Sequence, residues 1–232
     1  MKKTTLCRTA GLALGLVLVS SARAAEPGWY FVGFGGESSA SGLDVSGSED
    51  RLDDLFDSVD VDVVDVTSTV DDSDTGFGLA GGYQLNDHFA FEIAYVDLGS
   101  VGSRHVATVT DGVQQETAEV DFQTSADGAA VSVLGILPIG ERFSVYGRLG
   151  LSFLSATGTA SITVDGVTQR PRQSDQKTDP VYGVGVEYAI GKYSAVRLSW
   201  DRYTDIGTEN VSGDIDGDLI ALGFRLGVGW FQ

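Results

Sequence analysis

The sequence predicts an all-β fold: an eight-stranded antiparallel up-and-down transmembrane β-barrel. Three observations carry this. Apolar residues alternate with small or polar ones at period two in eight places. The connections between these stretches are by turns very short and long. Where a strand divides into two faces, one face is large and apolar while the other is small with an occasional full charge. A water-soluble barrel needs the reverse arrangement.

The first residues read as a secretory leader. Lys2, Lys3 and Arg8 precede an apolar run, GLALGLVLV (11–19), and Ala22-Arg23-Ala24 has the small-x-small form of a cleavage site. Residues 1–24 are therefore expected to be a signal peptide and 25–232 a single barrel domain. The apolar run is shorter than the roughly 20 residues a spanning helix needs. Cys7, the only cysteine, lies before that run, so the mature chain has no thiol for a disulfide, a metal or a nucleophile. Without the leader's four bases the chain has 11 Lys and Arg against 33 Asp and Glu, a formal charge of −22. Such a chain repels phosphate backbones, which argues against nucleic acid as a partner.

The strands follow in order. The first is expected near 28–36 (GWYFVGFGG), the second near 76–84 and the third near 88–98, with only Leu85-Asn86-Asp87 between the last two. The fourth, near 127–138, meets the fifth, near 142–155, through Ile139-Gly140-Glu141. The sixth, near 180–190, turns at Gly191 into the seventh, near 192–203, and the eighth lies near 217–231. Each is close to the 9–11 residues a tilted strand needs to cross a bilayer. The other connections, 37–75, 99–126, 156–179 and 204–216, are polar. Short turns on one rim and long loops on the other are expected of outer-membrane barrels, with the short turns in the periplasm. Asp111-Gly112 and Asp165-Gly166, each flanked by β-prone residues, read as hairpins that continue the wall above the membrane.

The faces assign inside and outside. Phe89, Phe91, Ile93 and Tyr95 oppose Ala90, Glu92, Ala94 and Val96; Ile220, Leu222, Phe224 and Leu226 oppose Ala221, Gly223 and Arg225. Lone charges among small residues suit a narrow lumen. Face parity puts Glu92, Arg148, Glu187, Arg197, Asp201 and Arg225 inside, three acids against three bases. Buried charges are tolerable only when paired, so these six are expected to form a salt-bridged plug. It reads either as a polar structural core or as a gate whose partner exchange admits water or small ions. Aromatics near strand ends, Trp29, Tyr30, Tyr83, Phe89, Tyr95, Phe143, Tyr193, Trp200, Tyr203 and Trp230, are expected to form the interfacial girdles.

Recognisable chemistry is sparse. Residues 37–75 hold thirteen acids and one base, Arg51, without Ca²⁺-loop spacing, and read as a solvated acidic loop. Asp214-Ile215-Asp216-Gly217-Asp218 also fails that spacing. His105 with Ser100 or Ser103 is the one grouping with catalytic residue types on the outer rim, and nothing in the sequence orients it. The expectation is a non-enzyme with no catalytic, cofactor-binding or metal-binding residues and no cofactor.

The stretches GWYFVGFGG, TGFGLAGGYQLNDHFAFEIAYVDLG, FSVYGRLGLSFL, PVYGVGVEYAIGKYSAVRLSWDRYTDIG and DLIALGFRLGVGW resemble the outer membrane β-barrel domain family, the group of OmpA-like transmembrane domains and small opacity-type or OmpX-like proteins. The resemblance implies residence in a bacterial outer membrane, surrounded by lipid and lipopolysaccharide. It also implies delivery by periplasmic chaperones and insertion by an assembly machinery that reads the last strand. Arg225, Gly227 and Trp230 fit that recognition pattern, whereas Gln232 stands where the terminal aromatic is usual. Members often carry a further periplasmic domain that binds peptidoglycan; with the chain ending at the barrel, that activity is not expected. A structural, envelope-integrity role is the leading expectation, ahead of adhesion through the loops and of a small-solute channel.

Overall fold

A computed structural model describes residues 27–41, 62–110, 115–164, 167–169, 172–206 and 215–228. These form strands and no helix: β1 (Gly28–Ser41), β2 (Asp62–Asp71), β3 (Ser73–Gln84), β4 (Phe89–Thr110), β5 (Gln115–Ile139), β6 (Phe143–Val164), β7 (Val167–Gln169), β8 (Arg172–Ala189), β9 (Ser194–Tyr203) and β10 (Asp216–Gly227). The leader, its cleavage site and the C-terminal Trp230 and Gln232 lie outside the described residues.

Eight staves close into a ring. β1 pairs with β3 and β10, and the ring runs on through β4, β5, β6, β8 and β9, every pair antiparallel. β2 continues β3 across Asp72 and pairs with the far end of β4. β7 pairs with the far end of β6 just before β8 begins. Closure leaves no edge in the membrane, where an unpaired N–H or C=O would find no water. All eight expected strands are present, and most are longer than expected. β4 and β5 stay paired as far as Thr110↔Gln115, and β6 and β7 as far as Val164↔Val167. The hairpins therefore do continue the wall.

The faces follow the expected parity. Phe89, Phe91, Ile93 and Tyr95 point out and are about half exposed, while Ala90, Glu92, Ala94 and Val96 are buried. Trp29 packs edge-on against Tyr83 at 5.1 Å on the short-turn rim, and Tyr182 against Trp200 at 6.2 Å towards the other. These outward pairs suit the two interfacial belts. Two girdle assignments are corrected. Tyr30 and Tyr203 are each 1% exposed and point into the lumen. Each is flanked by outward residues, Trp29 and Phe31 in one case and Arg202 in the other, so strand parity turns it inward.

A β-bulge interrupts the β4–β5 pairing between Asp97 and Ser100. Gly99 takes φ +72 there, and a Cβ on it would lie 2.7 Å from Asp74 Oδ2. Only glycine satisfies both conditions. Asp74 holds the bulge, accepting from the backbone N–H of Ser100 at 2.8 Å and of Thr75 at 2.7 Å.

Candidate functional site: the lumen

Glycines make room for the lumen's large side chains. Tyr30 lies against Gly82 and Tyr146 against Gly185, where an added Cβ would come within 2.3 Å and 2.4 Å of the rings. Gly183 similarly faces Asp201. The small residues of the inward face are thus the seats of its large polar ones.

The structure brings all six expected lumen charges into one linear network. Glu92, 2% exposed, lies at its centre. Arg148 Nη2 donates to Glu92 Oε2 at 2.7 Å and Arg197 Nη1 to Glu92 Oε1 at 2.6 Å. Tyr30 completes the carboxylate, its hydroxyl donating to Oε1 at 2.9 Å. On the short-turn side Arg197 also reaches Glu187 Oε2 at 3.0 Å, and Arg225 Nη1 donates to Glu187 Oε1 at 2.6 Å. Arg225 then donates to Gln84 Oε1 at 3.0 Å. In the other direction Arg148 Nη1 stands 3.1 Å from Asp201 Oδ1, an ion-pair distance without hydrogen-bond alignment. The Arg225 and Arg197 guanidiniums lie over the Tyr30 and Tyr146 rings at 4.0 Å and 4.7 Å. Sequence reasoning missed Tyr30 and Gln84 as members; alternation from Trp29 and Tyr83, already assigned outward, identifies both.

Beyond Asp201 the lumen changes character. Val96, Leu98, Ala126, Leu154, Val181, Tyr203 and Leu219 form an apolar layer across it. Ile206 and Ile215 join that layer from the connection after β9, held together by an Ile206 N–H to Ile215 C=O bond of 2.7 Å. Counted along β4, β6, β8, β9 and β10, which carry both, the layer lies on the long-loop side of the charges. The 204–216 connection, expected to be a polar loop, thus sends two isoleucines inward. Ile215 is 1% exposed.

The OmpA-like transmembrane domain matches residues 29–227, the whole ring of strands. The chain belongs to the OmpA-like transmembrane domain family. Its place as a family member is the bacterial outer membrane. It is 28% identical to outer membrane protein A of Shigella dysenteriae over 232 residues, covering 99% of this chain and 57% of that protein. It is 30% identical to outer membrane protein A of Serratia marcescens over 155 residues, covering 66% of this chain and 39% of that one. The chain thus spans little more than half the length of these curated relatives at most. Among solved structures it is similar to Neisserial surface protein A, at 17% identity and a TM-score of 0.44, covering 86% of this chain and 97% of that chain. It is also similar to OprG from Pseudomonas aeruginosa, at 14% and 0.41, covering 90% and 100%.

In this OmpA-like domain the rim serines stand as follows. Ser100 Oγ donates to Asp74 Oδ2 at 3.2 Å and accepts from Gln123 Nε2 at 3.1 Å. Its hydroxyl is thus engaged in holding the bulge. Ser103 and His105 lie further along β4, beside Val70 and Ser68 of β2, and the His105 side chain is outside the described residues. Of the acidic first loop, residues 42–61 are outside them, while 62–71 form β2.

Proposed function

We propose that this chain is a closed, non-conducting barrel that contributes to the integrity of the outer membrane. The observation that carries this is the filled lumen: a continuous ion-pair network on one side and an apolar layer on the other. A small eight-stranded barrel has an interior just wide enough for side chains, and here both layers are seated. Wild-type protein in planar bilayers is expected to stay silent, and a deletion strain to become detergent-sensitive. Steady wild-type conductance, or a deletion strain with an intact permeability barrier, overturns the reading.

A second reading, surface docking, is favoured by the overhanging sheet. Above the bulge β2, β4, β5, β6 and the start of β8 continue as a sheet, whereas β9 reaches β8 only as far as Val181↔Tyr203. Among the described residues β2 forms one edge and β7 with the start of β8 the other, and such edges accept an added strand. Deleting 104–123 and 158–177 and measuring cell binding separates this reading from the first: lost binding supports docking, and unchanged binding leaves the integrity role alone.

The partners of either reading are lipopolysaccharide around the outward face and the assembly machinery at the last strand.

A further inference from the structure

We infer that the ring of strands yields first at the joint between β1 and β10, and that Arg225 is the latch holding this lateral seam shut from inside the lumen. The seam is a conformational device of the wall itself, beyond what either reading above requires.

β1 and β10 are the first and last staves; every other pair of neighbours in the ring follows one another along the chain. Backbone pairing runs the length of the seam, from Tyr30↔Gly227 to Ser41↔Asp216. Side chains add little to it. Four successive pairs, Gly33↔Phe224, Phe34↔Gly223, Gly35↔Leu222 and Gly36↔Ala221, each contain a glycine. Phe224 and Leu222 do not cover the glycines opposite them. Among the described residues, the only side chains within 4 Å of a Cβ built on Gly33 or Gly35 are Leu79 and Phe77 of β3. A strand pair draws much of its stability from cross-strand side-chain contacts, and β1 has these on its other edge. There Tyr30, Phe31 and Phe34 lean over Gly82, Gly81 and Gly78 of β3, each within 3.7 Å of a Cβ built on its glycine. Aromatic cover of this kind compensates for glycine in a strand. β1 is thus fastened to β3 by backbone and side chains, and to β10 mainly by backbone.

Arg225 makes up the difference. It stands on β10 opposite Val32, next to the glycine-containing pairs. Its guanidinium lies over the Tyr30 ring of β1 at 4.0 Å and donates to Gln84 Oε1 of β3 at 3.0 Å, both beyond the seam. On its own side of the seam it donates to Glu187 Oε1 of β8 at 2.6 Å. One side chain therefore bridges the joint, with β8 at one end and β1 and β3 at the other.

Hydrogen exchange of the folded barrel in detergent micelles, followed amide by amide, tests this. The Val228 N–H to Trp29 C=O bond of 2.8 Å fixes the phase of the pairing. The amides of Gly33, Gly35, Leu222 and Phe224 therefore bond across the seam, whereas those of Val32 and Phe34 bond to β3. Arg225→Gln is expected to speed exchange at the four seam amides about tenfold, the effect of losing a charged hydrogen bond. Val32, Phe34 and the amides between β5 and β6 are expected to stay unchanged. Adding Gly35→Cys and Leu222→Cys to that variant and oxidising the pair is expected to restore slow exchange at Gly33 and Phe224, since hydrogen-bonded partners stand at a Cα separation a disulfide accepts. If Arg225→Gln does not fold, Gln84→Leu, which removes only the β3 end of the latch, decides by a smaller rise at the same four amides. A uniform rise over all strands, no rise at the seam amides, or a rise that the disulfide does not cancel overturns the inference.

Discussion

Tyr30 shows how much a single inward side chain depends on its neighbours. Its ring is clamped between the Arg225 guanidinium and Gly82, and its hydroxyl is tied to Glu92. A methyl group on residue 82 has nowhere to go, because the ring cannot swing away without breaking both contacts. Gly82→Ala is therefore expected to lower the free energy of unfolding by about 1–3 kcal/mol, the usual cost of overpacking. Gly135 faces lipid with nothing within 4 Å of an added Cβ, so Gly135→Ala is expected to stay within about 0.5 kcal/mol of wild type. Urea unfolding in lipid vesicles measures both, and equal effects would contradict the seat assigned to Gly82. Asp74 is a second residue-scale case. Backbone N–H groups of Ser100 and Thr75 point at its carboxylate and hold its pKa below the ordinary 3.8. A depressed folded-state pKa stabilises fully above the unfolded value, and that contribution is lost as pH falls through the folded one. Wild type is thus expected to unfold at higher urea than Asp74→Asn at neutral pH, with the gap closing below about pH 4. Asp74 is solvent-exposed, so the gap should also shrink in high salt; a gap indifferent to pH rules the mechanism out. At this scale the sequence was legible wherever alternation was followed strictly. The six charges came from parity alone, whereas Tyr30 and Tyr203 went wrong because residue type, aromatic near a strand end, was allowed to outrank position.

The strands were legible as membrane crossings and less so as strands. The expectation near 127–138 stops where the chain becomes polar, yet β5 runs from Gln115. Apolar alternation reports lipid on one side, and it ends at the membrane interface. Hydrogen bonding ends only where the partner strand does. The residues between, such as Thr117 to Ser125, are β-prone but polar, which a lipid-based criterion cannot count. The inward turn of 204–216 was hidden for a different reason. Ile206 and Ile215 are isolated among Asp, Gly, Asn and Ser, and a lone isoleucine carries no period. The surplus length of β4 and β5 has a consequence. Ser103 and Phe122 are directly paired across the two strands, so residues 104–121 can be replaced by a two-residue Asp-Gly turn without altering the register below. Below Ser103↔Phe122 the staves keep all their partners in the ring. The shortened protein is expected to insert, to retain heat-dependent gel mobility and to unfold at an unchanged urea concentration. A large loss would mean that the overhang, rather than the ring, stabilises the fold.

The whole molecule is polarised along the barrel axis. One end has three tight turns, centred on Asn86, Gly140 and Gly191, close to the ion-pair network. The other has the apolar layer, the bulge at Gly99 and the overhanging sheet. Closure of a β-barrel does not itself choose which end faces outward. Length does: outer-membrane barrels keep their short turns in the periplasm and their longer loops on the outer surface. The network then lies nearer the periplasm and the apolar layer nearer the exterior. The chain's single cysteine, Cys7, permits a direct check of this direction with wild type as the background. Gln176 on the overhang and Glu141 in the Gly140 turn are both exposed. A membrane-impermeant maleimide is expected to label Gln176→Cys on intact cells and to label Glu141→Cys only after the outer membrane is permeabilised. Labelling of Glu141→Cys on intact cells would invert the barrel, put the charge network on the outside and leave the apolar layer facing the periplasm.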